Sequence, residues 1–285
     1  MGLVRCCFYI SLTFFCIFDA CTLHKIKVVM ICKSTGDVFL DIKANKIVFK
    51  VDFWKIAVYM LILTSCVSIE NACRSRNSVI IDVPYIFQGE RWPNGCESVS
   101  AVMVLKYYGF EIDVDSFIEE YLPCGEKPIV GYIGPDPAKV YCGDPHKKSG
   151  WGCYAPVIEY AMRKYISSES YDVLRPEGMT LDELCRKYID QGVPVIIWAT
   201  VKMSNRENAG IFSYWRTVDG GLVRYHRQLH CLVLCGYDDQ NYYFNDPLED
   251  KNYGSKWMAY PKKKAQKAYE IMGEQCVALV PSGGA

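Results

Sequence analysis

The chain has 285 residues, about half of them hydrophobic, which is enough for one large domain or two small ones around a substantial core. Lysine plus arginine and aspartate plus glutamate each number 32, and a neutral chain without a basic stripe does not support nucleic-acid binding. The sequence contains no GxxxxGK(S/T) or GxGxxG loop, so it does not indicate a nucleotide cofactor.

Two hydrophobic runs, 6–18 and 56–67, precede the body of the chain. Each has the length of a signal-peptide core and is short for a membrane span. The second run contains L-T-S-C ending at Cys66, which looks like the lipobox of bacterial lipoproteins. We therefore interpret 51–78 as a signal or lipobox-like segment followed by a polar tether, with Cys66 as the lipidation candidate. An uncleaved hydrophobic anchor or a buried strand is the alternative.

A signal does not normally begin fifty residues into a chain, so 1–50 is an N-terminal extension of uncertain role and a candidate for an over-extended reading frame. The folded domain is predicted at 79–281, with 282–285 as a tail. Seven of the fifteen cysteines lie at or before Cys73. The cysteines do not form a CxxC pair matched by a second CxxC or by a closely spaced histidine pair, so a structural metal site is not indicated.

Hydrophobic periodicity and capping signals predict the elements of this domain. They are a strand at 79–84, helices at 95–108, 113–121, 156–166 and 181–191, a strand at 193–201, a hairpin at 212–225, strands at 230–237 and 242–245, a helix at 261–272 and a strand at 275–280. Helices come first and antiparallel strands later, which predicts an α+β fold.

Cys96 is predicted to lie in the first turn of the helix at 95–108. The preceding P-N-G is a turn signal, and Asn94 with Glu97 three residues on reads as a capping-box variant. The helix dipole favours an anion at this end, so the thiol is expected to lose its proton more easily than a free cysteine, whose pKa is about 8.5. The alternative is that Cys96 is a small buried apolar residue.

A nucleophilic cysteine needs a base and a group that orients the base. Of the four histidines, His24 lies in the uncertain extension and His146 in a loop beside two lysines. His230 begins a strand and Asp246 follows sixteen residues later, across one hairpin, so adjacent strands could bring the two together. His226 is the fallback base. The alternatives are a structural histidine on a sheet and a turn aspartate before proline.

These motifs, with G-D-P at 143–145 and G-C-Y-A-P at 152–156, resemble the bacteriocin-processing-peptidase-like proteins, the papain-fold group called peptidase family C-39-like. The likeness is to their exported stand-alone branch in Gram-positive bacteria and runs from about Val83 to Val280. It implies a papain-like fold in which a helix bearing the nucleophile packs on an antiparallel sheet carrying the base.

The resemblance implies that Cys96 is the nucleophile, His230 the general base and acid, and Asp246 the orienting acid. It also implies that Gln88 donates to the oxyanion beside the backbone N–H of Cys96. Gln88 precedes Cys96 by eight residues, a longer spacing than papain-like enzymes usually show.

Residues and resemblance together predict a cysteine peptidase-like hydrolase of peptide or amide bonds, exported to the cell surface or beyond. The expected partner is a peptide or protein substrate. No cofactor is expected, membrane contact would come only through an N-terminal anchor, and a monomer is predicted. A deamidase, a transpeptidase or a catalytically silent surface binding domain is the alternative. Candidate cleft residues, for which a core role is the alternative, are Trp92, Asn94, Trp151 and Tyr154.

Overall fold

The computed structural model describes residues 78–166, 170–205, 211–248 and 255–283, together with two short strands, β1 (Phe14–Phe15) and β2 (Val29–Met30). The chain divides into two compact units, Met1–Val67 and Ser68–Ala285. In the first unit β1 and β2 pair antiparallel. The predictions on Cys66 and on the segment before Ser78 otherwise lie outside the described residues.

The second unit combines helices and strands. Its helices are α1 (Cys96–Tyr107), α2 (Val114–Ser116), which continues as a π-helical turn (Phe117–Tyr121), α3 (Ala155–Ile166), α4 (Leu181–Lys187), which is followed by a 3₁₀ turn (Ile189–Gln191), and α5 (Lys262–Ile271). A further 3₁₀ turn spans Val201–Met203. None of the helices that the structure describes is both long and apolar enough to span a membrane.

The strands of this unit are β3 (Val79–Ile80), β4 (Cys124–Gly125), β5 (Tyr141–Cys142), β6 (Tyr171–Leu174), β7 (Val195–Thr200), β8 (Phe212–Arg216), β9 (Leu222–His226), β10 (Leu229–Tyr237), β11 (Asn241–Asn245), β12 (Met258–Pro261) and β13 (Cys276–Pro281). The main sheet has the order β12-β11-β10-β7-β13-β6, and β3 also pairs with β10. All its pairings are antiparallel, so the α+β prediction is confirmed.

The centre of the sheet carries the core. All six residues of β7 are buried, as its near-continuous apolar run predicts for a strand covered on both faces. Helix α1 packs on β10 and is buried from Cys96 to Leu105. A helix that is apolar on all sides lies in the core rather than on a surface. The first turn of α1 therefore has a fixed position relative to β10.

The two predicted helix caps have different outcomes. Thr180 and Glu183 form the predicted capping box at α4, which confirms that prediction. At α1 the prediction is wrong, because the capping position is Gly95 and no side chain caps it. The amide of Asn94 instead donates to the carbonyl of Lys147 at 2.8 Å. The carboxyl group of Glu97 points into the protein, where it accepts a hydrogen bond from the backbone N–H of Cys153.

Several short strands were missed by the sequence patterns. β6 and β12 form the two edges of the main sheet and are only partly buried, so their hydrophobic pattern is weak. The predicted strand at 79–84 is shorter than expected, since β3 covers only Val79–Ile80. Its pairing with β10 places Ile80 opposite Gly236. A side chain at Gly236 would come within 2.2 Å of the carbonyl of Val79, so this close approach requires glycine.

We predict that a chain beginning at Ser78 folds alone and unfolds in one cooperative transition, because the described sheet and core lie within 78–283. A chain beginning at Pro84, which lacks β3, should unfold at a lower urea concentration since it leaves β10 without that pairing. Urea unfolding followed by circular dichroism and by tryptophan fluorescence checks both. Aggregation of the Ser78 chain, or two transitions that do not coincide, would contradict the boundary.

Candidate active site

His230 and Asp246 form a buried pair on neighbouring strands. His230 Nε2 lies 2.7 Å from Asp246 Oδ1, and both side chains are only 4% exposed. The hairpin of β10 and β11 produces this contact. Asn245, the last residue of β11, pairs with Val233, so the next residue, Asp246, extends along β10 in the direction of His230. With Nε2 facing the carboxylate, Nδ1 is the ring nitrogen left for proton exchange.

Further donors fix the Asp246 carboxylate. The backbone N–H of Leu248 donates to Oδ1 at 3.0 Å and the hydroxyl of Tyr260 to Oδ2 at 3.1 Å. Burial acts to raise the pKa of Asp246, but the charge and hydrogen bond of His230, aided by these donors, outweigh it, so the pKa is lowered. Asp246 is therefore held as a carboxylate that faces the ring of His230.

Cys96 opens α1 and is 7% exposed. Its Sγ donates to Glu97 Oε2 at 3.2 Å. The backbone N–H of Cys231, the residue after His230, is close enough to favour the thiolate. Among the hydrogen bonds of the described residues none joins Cys96 to His230.

The surroundings of Cys96 oppose the expected fall in its pKa. Burial, and next the negative charge of Glu97, raise the pKa of the thiol well above its ordinary value. The helix N-terminus contributes only about 1 kcal/mol toward an anion. Removing the thiol from water and placing a carboxyl group beside it both act against that contribution.

Glu97 is the site residue that the sequence reasoning missed, since it was read as a helix cap. It is 0% exposed, and burial raises its pKa although the N–H of Cys153 and the charge of His230 act to lower it. One signal was available: Glu97 is the charged residue in a helix whose other positions up to Leu105 are apolar or small hydroxyl residues.

Gln88 is 4% exposed and lies in the loop that precedes α1. Its Nε2 donates to the carbonyl of Pro93 at 3.1 Å, and its Oε1 is buried without a hydrogen-bond partner among the residues described. Its backbone N–H donates to the carbonyl of Pro247 at 3.1 Å. The hydroxyl of Tyr85 donates to the carbonyl of Asp246 at 3.1 Å. The Gln88 loop is thus fastened to the loop that carries Asp246.

The candidate cleft residues fall into two groups. Trp92 donates from Nε1 to Asp115 and Asn94 donates to the carbonyl of Lys147, so both tie the loop before α1 to other segments. Trp151 and Tyr154 are partly buried against Tyr225, at ring-centroid distances of 5.3 and 6.1 Å. These contacts give all four a structural role.

His226 does not lie beside Asp246. Its ring meets Phe212 edge-on at 5.0 Å, and its Nδ1 accepts the backbone N–H of Gln228 at 3.2 Å. The histidine that contacts the candidate acid is therefore His230.

The cysteines among the described residues 78–283 are free thiols, and Cys231 and Cys235 on β10 are fully buried. Within the described residues no group of three or more His, Cys, Asp or Glu side chains could hold a metal ion.

Comparison with known proteins identifies the family. The model of the Peptidase_C39 like family matches residues 80–277, more than half of the chain. The chain belongs to this family. The uncharacterized protein YvpB of Bacillus subtilis (strain 168) is 26% identical over 186 residues, which are 65% of this chain and 69% of that protein.

A solved structure agrees with this assignment. The crystal structure of a Bacillus anthracis protein assigned as a C39-like peptidase matches with a TM-score of 0.62 and 27% identity, over 72% of this chain and 98% of that one. The family resemblance read from the sequence motifs is confirmed, and so is the α+β papain-like fold.

The lowered pKa of Asp246 predicts a pH effect on stability. A carboxyl whose pKa is lower in the folded state contributes stability above its unfolded pKa, about 3.9, and loses it as pH falls through the folded value. Asp246→Asn should therefore be less stable than wild type at about pH 6, with a smaller difference at about pH 3. Urea unfolding at both pH values measures this. The exposed Asp239→Asn is the matched control, and an Asp246→Asn difference that is the same at both pH values would contradict the prediction.

Proposed function

We propose that this C39-like protein is a thiol hydrolase that cleaves peptide or amide bonds with Cys96, His230, Asp246 and Gln88. The observation that carries the proposal is the buried pair of His230 and Asp246, 2.7 Å apart. His230 lies on β10, the strand against which the helix headed by Cys96 packs. A base oriented by a carboxylate, beside a cysteine at a helix N-terminus, is the arrangement that thiol acyl transfer needs.

In the proposed reaction the Cys96 thiol gives its proton to Nδ1 of His230, and the thiolate attacks the carbonyl carbon. The carbonyl π electrons move to oxygen, and the resulting oxyanion is bound by the backbone N–H of Cys96 and the second Nε2–H of Gln88. His230 then returns the proton to the leaving amine as the thioester forms. Water, deprotonated by His230, hydrolyses the thioester and restores the thiol.

Energetics make His230 essential to this scheme. One pKa unit corresponds to about 1.4 kcal/mol, so a dipole contribution of about 1 kcal/mol lowers the pKa of a thiol by less than one unit. Burial and the charge of Glu97 act in the opposite direction and raise the pKa of Cys96. A thiolate therefore needs a cationic partner, and His230, with Asp246 behind it, is the candidate that the site provides.

A catalytically silent binding domain is the second candidate. The observation that favours it is that the thiol of Cys96 is hydrogen-bonded to Glu97 rather than to His230. A silent domain would bind peptides without hydrolysing them. A deamidase or transpeptidase would use the same residues but release ammonia or form a new amide bond.

We predict that Cys96→Ala and His230→Ala each reduce peptide hydrolysis by about a thousandfold or more, because nucleophile and base act as a unit. The double variant should be little worse than either one, and Asp246→Asn should retain more activity than both. Product analysis of a peptide library by mass spectrometry measures the rates and separates hydrolysis from deamidation and transpeptidation.

Two variants complete this experiment. Gln88→Ala should lower kcat by about a hundredfold if Gln88 donates to the oxyanion. Cys124→Ala, at an exposed cysteine, is the matched control and should behave as wild type. Binding of library peptides without any product would support the silent domain, and full activity of Cys96→Ala would overturn the proposed nucleophile.

We also propose that the protein is exported and anchored to the membrane through Cys66, on the strength of the L-T-S-C sequence. One acyl chain binds a bilayer only marginally, whereas several chains together hold firmly. Mass spectrometry of the protein from its native host should find lipidated Cys66 at the mature N-terminus, and Cys66→Ser should move the protein to the soluble fraction. A mature N-terminus upstream of residue 50 would contradict this prediction.

A further inference from the structure

Glu97 places a buried carboxyl group directly beside the candidate nucleophile. Its Oε2 accepts the hydrogen bond of Cys96 Sγ at 3.2 Å, and its Oε1 accepts the backbone N–H of Cys153 at 2.8 Å. The side chain is completely buried. No lysine or arginine forms an ion pair with Glu97 in the part of the chain that the structure describes.

The loop at 152–153 packs closely against this carboxyl group. A side chain at Gly152, where φ is +137°, would come within 2.6 Å of Glu97 Oε1 and 2.9 Å of Tyr225 Oη. The carbonyl of Cys153 in turn accepts a hydrogen bond from Trp198 Nε1 on the central strand, at 2.8 Å. Glu97 therefore joins the loop at 152–153 to the first turn of α1, and glycine is required for the loop to approach that closely.

The charges around Glu97 limit how many anions the site can hold. Beside Cys96, the titratable groups that face Glu97 from the surrounding elements are Tyr141, Cys142, Cys153, Tyr225, His230 and Cys231. Only His230 in this group can carry a positive charge. Asp246 already faces that imidazole and is ionised. A thiolate together with an ionised Glu97 would put two adjacent negative charges in a buried volume, which is strongly unfavourable.

We propose that Glu97 is a positioning residue of the nucleophile: its ionised carboxyl group accepts the S–H hydrogen bond of Cys96 and keeps the sulfur in the thiol form, so the thiolate forms more easily when Glu97 carries no charge. The thiol proton goes to Nδ1 of His230 in either state of Glu97, so the proton count is that of the proposed reaction.

This inference deepens the proposed function and rests on Cys96 being its nucleophile, but its test needs no substrate. The rate at which iodoacetamide alkylates Cys96, resolved by peptide mass spectrometry, is measured against pH in the full-length wild type and in Glu97→Gln. Glutamine keeps an acceptor for the Cys153 N–H but cannot carry the charge. Its alkylation midpoint should therefore lie about one pH unit or more below that of wild type.

The controls isolate the charge of Glu97. The exposed Glu119→Gln should leave the Cys96 midpoint unchanged, and Cys124 in each protein serves as an internal reference. A Glu97→Gln midpoint equal to or above that of wild type would overturn the proposal. The failure of the protein to cleave any peptide would overturn the proposed function but leave this midpoint shift standing.

A second measurement covers the case in which Glu97→Gln does not fold. Infrared difference spectra of wild type taken across the Cys96 midpoint should show Glu97 already ionised at pH values where the thiol persists. Glu97→Asp, which keeps the charge on a shorter side chain, provides the comparison if it folds. A Glu97 that stays protonated up to the Cys96 midpoint would also overturn the proposal.

Discussion

The packing of the first turn of α1 against β10 is the constraint on which the rest of the site depends. Because α1 is buried from Cys96 to Leu105, its N-terminus has no freedom to shift relative to the sheet. The same strand carries His230, and its hairpin partner leads directly into Asp246. Cysteine, histidine and aspartate are thus positioned by one helix–strand contact and one hairpin, with the loop of Gln88 tied to the carbonyl of Pro247.

Burial gives this site its electrostatic character. It raises the pKa of Cys96 and of Glu97, while Asp246, also buried, stays ionised because it faces His230 and accepts further hydrogen bonds. The difference between the two carboxyl groups lies in their partners. Asp246 has a potential cation at 2.7 Å, whereas Glu97 has a thiol and an amide. Two acids in one small volume are therefore pushed toward opposite protonation states, as is common where acid–base chemistry takes place.

Membership of the Peptidase_C39 like family accounts for the fold, while the chemistry has to be argued from the side chains. The geometry of His230 and Asp246 is that of an oriented base. The geometry of Cys96 is that of a thiol held by its neighbour, Glu97. In the proposed function the nucleophile must leave one hydrogen bond before it meets its base, which fits an enzyme whose apo geometry tightens on binding substrate.

Local sequence patterns alone determined the positions of α1, α4 and β7, because helix caps and uninterrupted apolar runs depend on neighbouring residues. They also singled out Cys96, His230 and Asp246, since a turn before a helix and a polar residue at the head of an apolar strand are visible without a fold. Only the tertiary structure decided the roles of Asn94 and Glu97. Their partners, the carbonyl of Lys147 and the N–H of Cys153, lie more than fifty residues away, and an inward-facing carboxyl has the same sequence signature as a helix cap.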